Sequence, residues 1–162
     1  MNYQNSTDFN IYAPISGSLI ALKELPDPLI AQGMLGLGLA IQAVSNELIA
    51  PVSGTLNYLD SGVVLITRED GLQVLLQIGI DTAILKGAPF VLQKPQQTIV
   101  TTKSVLMMID LKAFWVAHLK PIVILTLPNL SNATTDLRIK YRQVIVGDLL
   151  YYLAKNNYYT KK

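Results

Sequence analysis

The sequence predicts an all-β fold, an antiparallel β-sandwich or barrel with at most short helical turns. Three observations carry this. Short apolar runs recur: SLIAL (18–22), GLAIQAV (38–44), VVLIT (63–67), LQVLL (72–76), IVILTL (122–127) and QVIVGDLLYYL (143–153). The segments between them are rich in Gly, Pro, Asn, Asp and Ser, which punctuate strands. Helical periodicity is confined to brief stretches.

The chain is 162 residues long, enough for one domain with a single sizeable core. Half of it is hydrophobic (51%) and only 15% is charged, which predicts a generous core and an apolar surface. A net charge of +2 is too small to argue for nucleic acid. The absence of cysteine excludes disulfides and thiolate metal sites. The polar start, MNYQNSTDFN, has no apolar leader. The longest greasy stretch, 104–130, is interrupted by Asp110, Lys112, His118, Lys120 and Pro121. These features predict a soluble cytoplasmic protein without a membrane span.

In chain order, residues 1–10 are expected to be flexible, 11–155 to form the domain, and 156–162 to be a flexible tail. The tail's Tyr158, Tyr159, Lys161 and Lys162 are read as solvated rather than as a nucleic-acid patch. A helical turn is expected near 28–33. Another is expected over 110–119, DLKAFWVAHL, which starts with an N-cap aspartate, Asp110. One segment echoes another: Tyr12-Ala13-Pro14-Ile15-Ser16-Gly17-Ser18-Leu19 and Ile49-Ala50-Pro51-Val52-Ser53-Gly54-Thr55-Leu56. In each, a residue held extended before proline leads to a glycine turn and a strand. The pair predicts related corners at Ala13-Pro14 and Ala50-Pro51; two copies are too few for a solenoid.

Counting excludes most chemistry. One histidine, His118, and no cysteine rule out a histidine-based zinc site. No activated-serine motif accompanies His118, which reads as a surface or core-edge residue. Gly36-Leu37-Gly38 is not followed by the rest of a nucleotide loop. The carboxylates Asp27, Asp60, Glu69, Asp70, Asp81, Asp110, Asp136 and Asp148 are scattered, with no paired acid and base. Neither cofactor nor metal is expected.

Taken together, the motifs resemble the glucose-type IIA component of the bacterial sugar phosphotransferase system. Pro14-Ile15-Ser16-Gly17, Pro26-Asp27-Pro28, the run from Ala31 to Ile41, Ala50-Pro51-Val52-Ser53-Gly54-Thr55, Gly79-Ile80-Asp81-Thr82 with Leu85-Lys86-Gly87 and Phe90, Pro121-Ile122-Val123-Ile124 and Val146-Gly147-Asp148 match that family in order. The resemblance implies an antiparallel sandwich of duplicated, hybrid type. It also implies a phosphoryl group carried on a histidine shortly before the GIDT turn. That position is Gln77. The family's second histidine, which helps hold the phosphate, falls on Gly62, and the loop before it is shorter than the family's. The acid between the family's two glycines is Leu37. A VGD-like turn is replaced by Thr102-Lys103-Ser104, while Asp81 is retained.

An imidazole can take up and release a phosphoryl group near neutral pH, whereas a carboxamide cannot. The resemblance thus implies a non-phosphorylatable copy, not an enzyme, that works as a regulatory or scaffolding module. It implies a partner face of Ile30, Leu37, Leu39, Val64, Leu75, Gln77 and Asp81, docking a transporter, a regulator or a second copy. Two alternatives stay open. One is an active phosphocarrier with an unconventional acceptor, Asp81 or His118; the other is a drifted copy that forms a homodimeric structural protein.

Overall fold

A computed structural model describes residues 10–129 and 142–152. Asn10 opens the first strand; the rest of segment 1–10 and the tail 156–162 lie outside the described residues.

Thirteen strands and two short α-helices are described: β1 (Asn10–Tyr12), β2 (Gly17–Ile20), α1 (Pro28–Ala31), β3 (Leu37–Ala43), β4 (Glu47–Ile49), β5 (Gly54–Asp60), β6 (Val63–Thr67), β7 (Gln73–Ile78), β8 (Phe90–Leu92), β9 (Ile99–Val100), β10 (Val105–Ile109), α2 (Leu111–Val116), β11 (Ile122–Leu127), β12 (Gln143–Val144) and β13 (Leu149–Tyr152). Short 3-10 turns occupy Leu22–Glu24 and Thr82–Leu85. Eight strands make the main sheet in the order β12-β2-β3-β11-β7-β6-β5-β9, all pairs antiparallel. The other sheets are β4-β10-β8 and β1-β13. The antiparallel sandwich expected from the recurring short apolar runs is the architecture observed.

The main core lies on the inner face of the large sheet. Leu39, Ile41, Leu56, Val64, Ile66, Val74, Leu76, Val123 and Leu125 pack there with Ile11, Leu48, Leu106, Ile109 and Phe114. At about 25 cal/mol per Å² of apolar surface removed from water, such side chains dominate the stability. A second, smaller cluster lies on the opposite face, where Leu25 and Ile30 cover Ala40, Ile122 and Ile124. This covering explains why β11 is apolar at nearly every position: both its faces are buried.

The two Ala-Pro corners are related by a local two-fold. The Tyr12 N–H donates to the Pro51 carbonyl at 3.1 Å, and the Ile49 N–H donates to the Pro14 carbonyl at 2.9 Å. Ala13 and Ala50 bond in the same way to two matching turns. The N–H of Ala13 reaches the Asp148 carbonyl and its carbonyl takes the Gly147 N–H. Ala50 does the same with Ser104 and Lys103. Lys103 (φ 72°) thus stands where its counterpart is Gly147 (φ 89°). The Ser104 hydroxyl accepts from the Thr101 N–H just as the Asp148 carboxylate accepts from the Ile145 N–H. The turn at 102–104 has lost its glycine but kept its shape.

Both helices start on aspartate caps. Asp27 accepts from the N–H groups of Leu29 and Ile30, and Asp110 from those of Lys112 and Ala113. The helix expected over 110–119 ends at Val116 because His118 adopts a left-handed conformation (φ 57°). The Leu119 N–H then reaches the Phe114 carbonyl and the His118 N–H that of Trp115, a Schellman closure. Gly33 (φ 80°) closes α1 in the same way.

Candidate functional site

Gln77 sits on β7, opposite Val63 of β6 and Ile124 of β11. Alternation along β7 buries Val74, Leu76 and Ile78 and sends Gln73, Leu75 and Gln77 to the outer face. Just beyond the strand the chain turns sharply at Gly79 (φ 83°). A side chain at Gly79 would meet Thr82 Cγ2 and the Phe114 ring, so only glycine fits. The Gly79 N–H donates to the Ile122 carbonyl at 2.6 Å, which pins the turn to β11. The turn delivers Asp81, exposed and itself left-handed (φ 57°), to the surface beside Gln77.

Gln77, Gly62 and Asp81 line one cleft of about 300 Å³, together with Asp60, Ser61, Thr82 and Lys86. The cleft thus brings Gln77, Gly62 and Asp81 together, while Ile30, Leu37, Leu39 and Leu75 do not line it. Gln77 Nε2 donates to the Gly79 carbonyl at 3.3 Å. Among the described residues no group of three or more His, Cys, Asp or Glu side chains could hold a metal.

Gly62 sits in a tight turn. β5 and β6 form a hairpin in which Asp60 pairs with Val63, so Ser61-Gly62 is a two-residue turn. Gly62 is buried at φ 72°, and its carbonyl accepts from the Ile78 N–H at 2.7 Å. A Cβ there would lie 2.8 Å from two atoms of the Phe90 ring. The tight turn requires glycine, and a histidine side chain at this position would meet the Phe90 ring.

Several residues expected on the partner face lie elsewhere. Ile30 (3% exposed), Leu39 (1%) and Val64 (0%) are core residues, not surface residues. Ile30 turns inward from α1 onto Ala40 and Ile124. Leu39 follows the inward parity of Ile41 and Ala43 on β3. Val64 pairs with Leu76, on the inner face, while Val63 and Leu65 pair with Gln77 and Leu75. Leu37, half-buried at the start of β3, shares the inward parity of Leu39 and does not line the Gln77 cleft. Of the expected face, Leu75, Gln77 and Asp81 remain accessible beside the cleft, while Leu37 is half-buried away from it. Val63 and Leu65 were missed; they are half-buried on the same side as Leu75 and Gln77.

His118 is exposed and lies outside the Gln77 cleft. It lines a second cavity of about 480 Å³ that also includes Asp81, so Asp81 stands between the two. No helix among the described residues is long and apolar enough to cross a membrane.

Residues 9–133 match the family described as phosphoenolpyruvate-dependent sugar phosphotransferase system, EIIA 1. The chain is 29% identical over 143 residues to a glucose-specific EIIA component of that system from Oceanobacillus iheyensis, covering 87% of each chain. It is 36% identical over 91 residues to the glucose-specific EIIA component of Buchnera aphidicola, covering 55% of this chain and 56% of that one. Against the glucose-specific EIICBA component of Streptococcus pneumoniae it is 33% identical over 117 residues, which are 68% of this chain but only 16% of that longer protein. The structure of glucose permease IIA from Mycoplasma capricolum superposes with a TM-score of 0.78 at 31% identity, covering 87% of this chain and 92% of that one.

Proposed function

Since the chain belongs to the EIIA 1 family of the phosphoenolpyruvate-dependent sugar phosphotransferase system, we propose that it is a IIA-type module that carries no phosphoryl group and acts by binding a protein partner. The observation that carries this reading is the side chain at 77. It is a carboxamide, bonded to the Gly79 carbonyl, in a cleft that contains no imidazole. An amide nitrogen has no lone pair free for attack, and the group does not titrate in the accessible range. Gly62 supports the same reading, because its buried turn leaves no space for a second histidine.

The partner surface is the accessible remainder of the expected face, Leu75, Gln77 and Asp81, extended by Val63 and Leu65. Half-buried aliphatic side chains around a polar centre suit a docking surface. The partner is a protein of the sugar-uptake system or its regulation, and the binding happens in the cytoplasm.

The test is incubation with phosphoenolpyruvate, enzyme I and the general phosphocarrier, read by intact mass. No added phosphate is expected, and a stoichiometric gain of one phosphate overturns the reading. A rival has one observation in its favour: the only imidazole, His118, shares Asp81 with the Gln77 cleft. If the mass gain appears and His118→Gln abolishes it, the protein is a phosphocarrier with a displaced acceptor.

A further inference from the structure

The cavity beside the Gln77 cleft shares Asp81 with the proposed partner surface but is otherwise built from residues outside it. Leu25 and Ile122 form its buried floor, and Ile20, Ile80 and Leu119 are half-buried around them. Its rim carries two carboxylates and two basic side chains. Glu24 comes from the 3-10 turn before α1, and Asp81 from the turn after β7. His118 and Lys120 come from the closure between α2 and β11. Acids and bases at such a rim would ordinarily pair with each other. Among the described residues, however, the only ion pair within 4.0 Å is Arg68 with Asp70, far from this rim in sequence. The four groups line the cavity from three segments, and none of them pairs with another within 4.0 Å.

Two of the four are held in a conformation that costs energy. Asp81 (φ 57°) and His118 (φ 57°) are both left-handed. At the equivalent closure of α1 the residue is Gly33. A glycine at 118 would relieve that strain.

We propose that this cavity is a binding site for a small zwitterion with an apolar body, of the kind represented by a free amino acid with a branched aliphatic side chain. The apolar body would cover Leu25 and Ile122, the ligand's carboxylate would face Lys120 and His118, and its ammonium would face Glu24 and Asp81. The volume, about 480 Å³, lies in the range of small-molecule pockets. The site does not depend on the reading of Gln77. A phosphorelay result of either sign leaves it standing, and its own failure leaves that reading standing.

The experiment is a titration of the full chain with L-leucine, followed by amide and methyl NMR. Glycine, leucinamide and N-acetyl-leucine are run in parallel. Saturable shifts are expected at Ile80, Leu119 and Ile122 with leucine. Glycine lacks the apolar body, leucinamide the carboxylate and N-acetyl-leucine the ammonium; each is expected to bind about tenfold more weakly or worse. His118→Gly is expected to raise the melting temperature while weakening leucine binding, an opposition that a purely structural histidine would not produce. Absence of saturable shifts with leucine overturns the proposal. Equal binding of leucine and both blocked analogues also overturns it, because the rim charges would then play no part.

Discussion

Placing any side chain at Gly62 should destabilise the fold. The backbone there is at φ 72°, and a Cβ would sit 2.8 Å from Phe90 Cε2 and Cζ. Left-handed strain for an L-residue is about 1–2 kcal/mol. Forcing an extra carbon against a packed ring adds about 1–3 kcal/mol. Against these stands the lower entropy of the unfolded alanine chain, worth about 0.5–1 kcal/mol. Moving the Phe90 ring aside would disturb its edge contact with Phe114, whose ring centroid lies 6.1 Å away at 65°. Gly62→Ala is therefore expected to destabilise by about 3 kcal/mol, which with a typical slope moves a urea midpoint by about 1.5 M. Gly62→His should cost at least as much. The assay is urea unfolding of wild type, Gly62→Ala, Phe90→Leu and the double variant. The ring overlap should appear as coupling, with the alanine costing less when Phe90 is leucine. A Gly62→Ala protein within about 0.5 kcal/mol of wild type, the range of an unconstrained surface change, would refute the reasoning. It would also remove the structural objection to a second histidine.

Three other outcomes follow from the same geometry. Gln77→His alone should gain little phosphate in the phosphorelay, measured by mass, because nothing at Gly62 helps hold the group; robust labelling would mean that the cleft is more competent than its residues suggest. Burial raises the pKa of Asp70, but the hydrogen bonds and charge of Arg68 and the Leu72 N–H together outweigh it and hold the carboxyl below its ordinary value. Its contribution to stability is thus complete above the ordinary carboxylate range and is lost as pH falls through the depressed value, so Asp70→Asn should destabilise at pH ~7 and become nearly silent at pH ~2 in thermal melts. Asp110→Ala should cost about 1 kcal/mol in urea unfolding by removing the cap of α2, and a loss below the error of the measurement would show that the cap is idle.

The fold was legible because its signals are local. Alternation along QVLLQI places Gln77 outward, and the two Ala-Pro-Gly repeats forecast a pair of corners that proved to be bonded to each other. The partner face was less legible, for a reason visible at Val64. VVLIT is apolar throughout, so periodicity gives no parity. Its register against β7 is set by the turn in which the Arg68 N–H bonds to the Leu72 carbonyl and Arg68 clasps Asp70. A one-residue error there exchanges Val64 for Val63 and Leu65. Ile30 failed for another reason: its burial depends on α1 folding over the outer face of β3 and β11, a tertiary contact with no local signature. The end of α2 was misplaced because a histidine stands where glycine is the usual stop signal.

On the proposed reading, the losses at 77 and 62 have one consequence for signalling. A phosphohistidine brings roughly two negative charges to a surface. Desolvating that charge against an apolar partner is costly, so a phosphorylated face releases what the unphosphorylated face holds. Leu75, Val63 and Leu65 surround the position where the charge would appear. Without an acceptor imidazole, that charge never arrives, and the surface keeps its binding-competent state whatever the flow of phosphate. Asp81 still carries a carboxylate to the rim, so the surface retains a fixed polar contact for orientation. A partner that binds there experiences a constant ligand rather than a switch. The protein can then compete with any phosphorylatable relative for a shared partner, and its effect is set by its concentration alone.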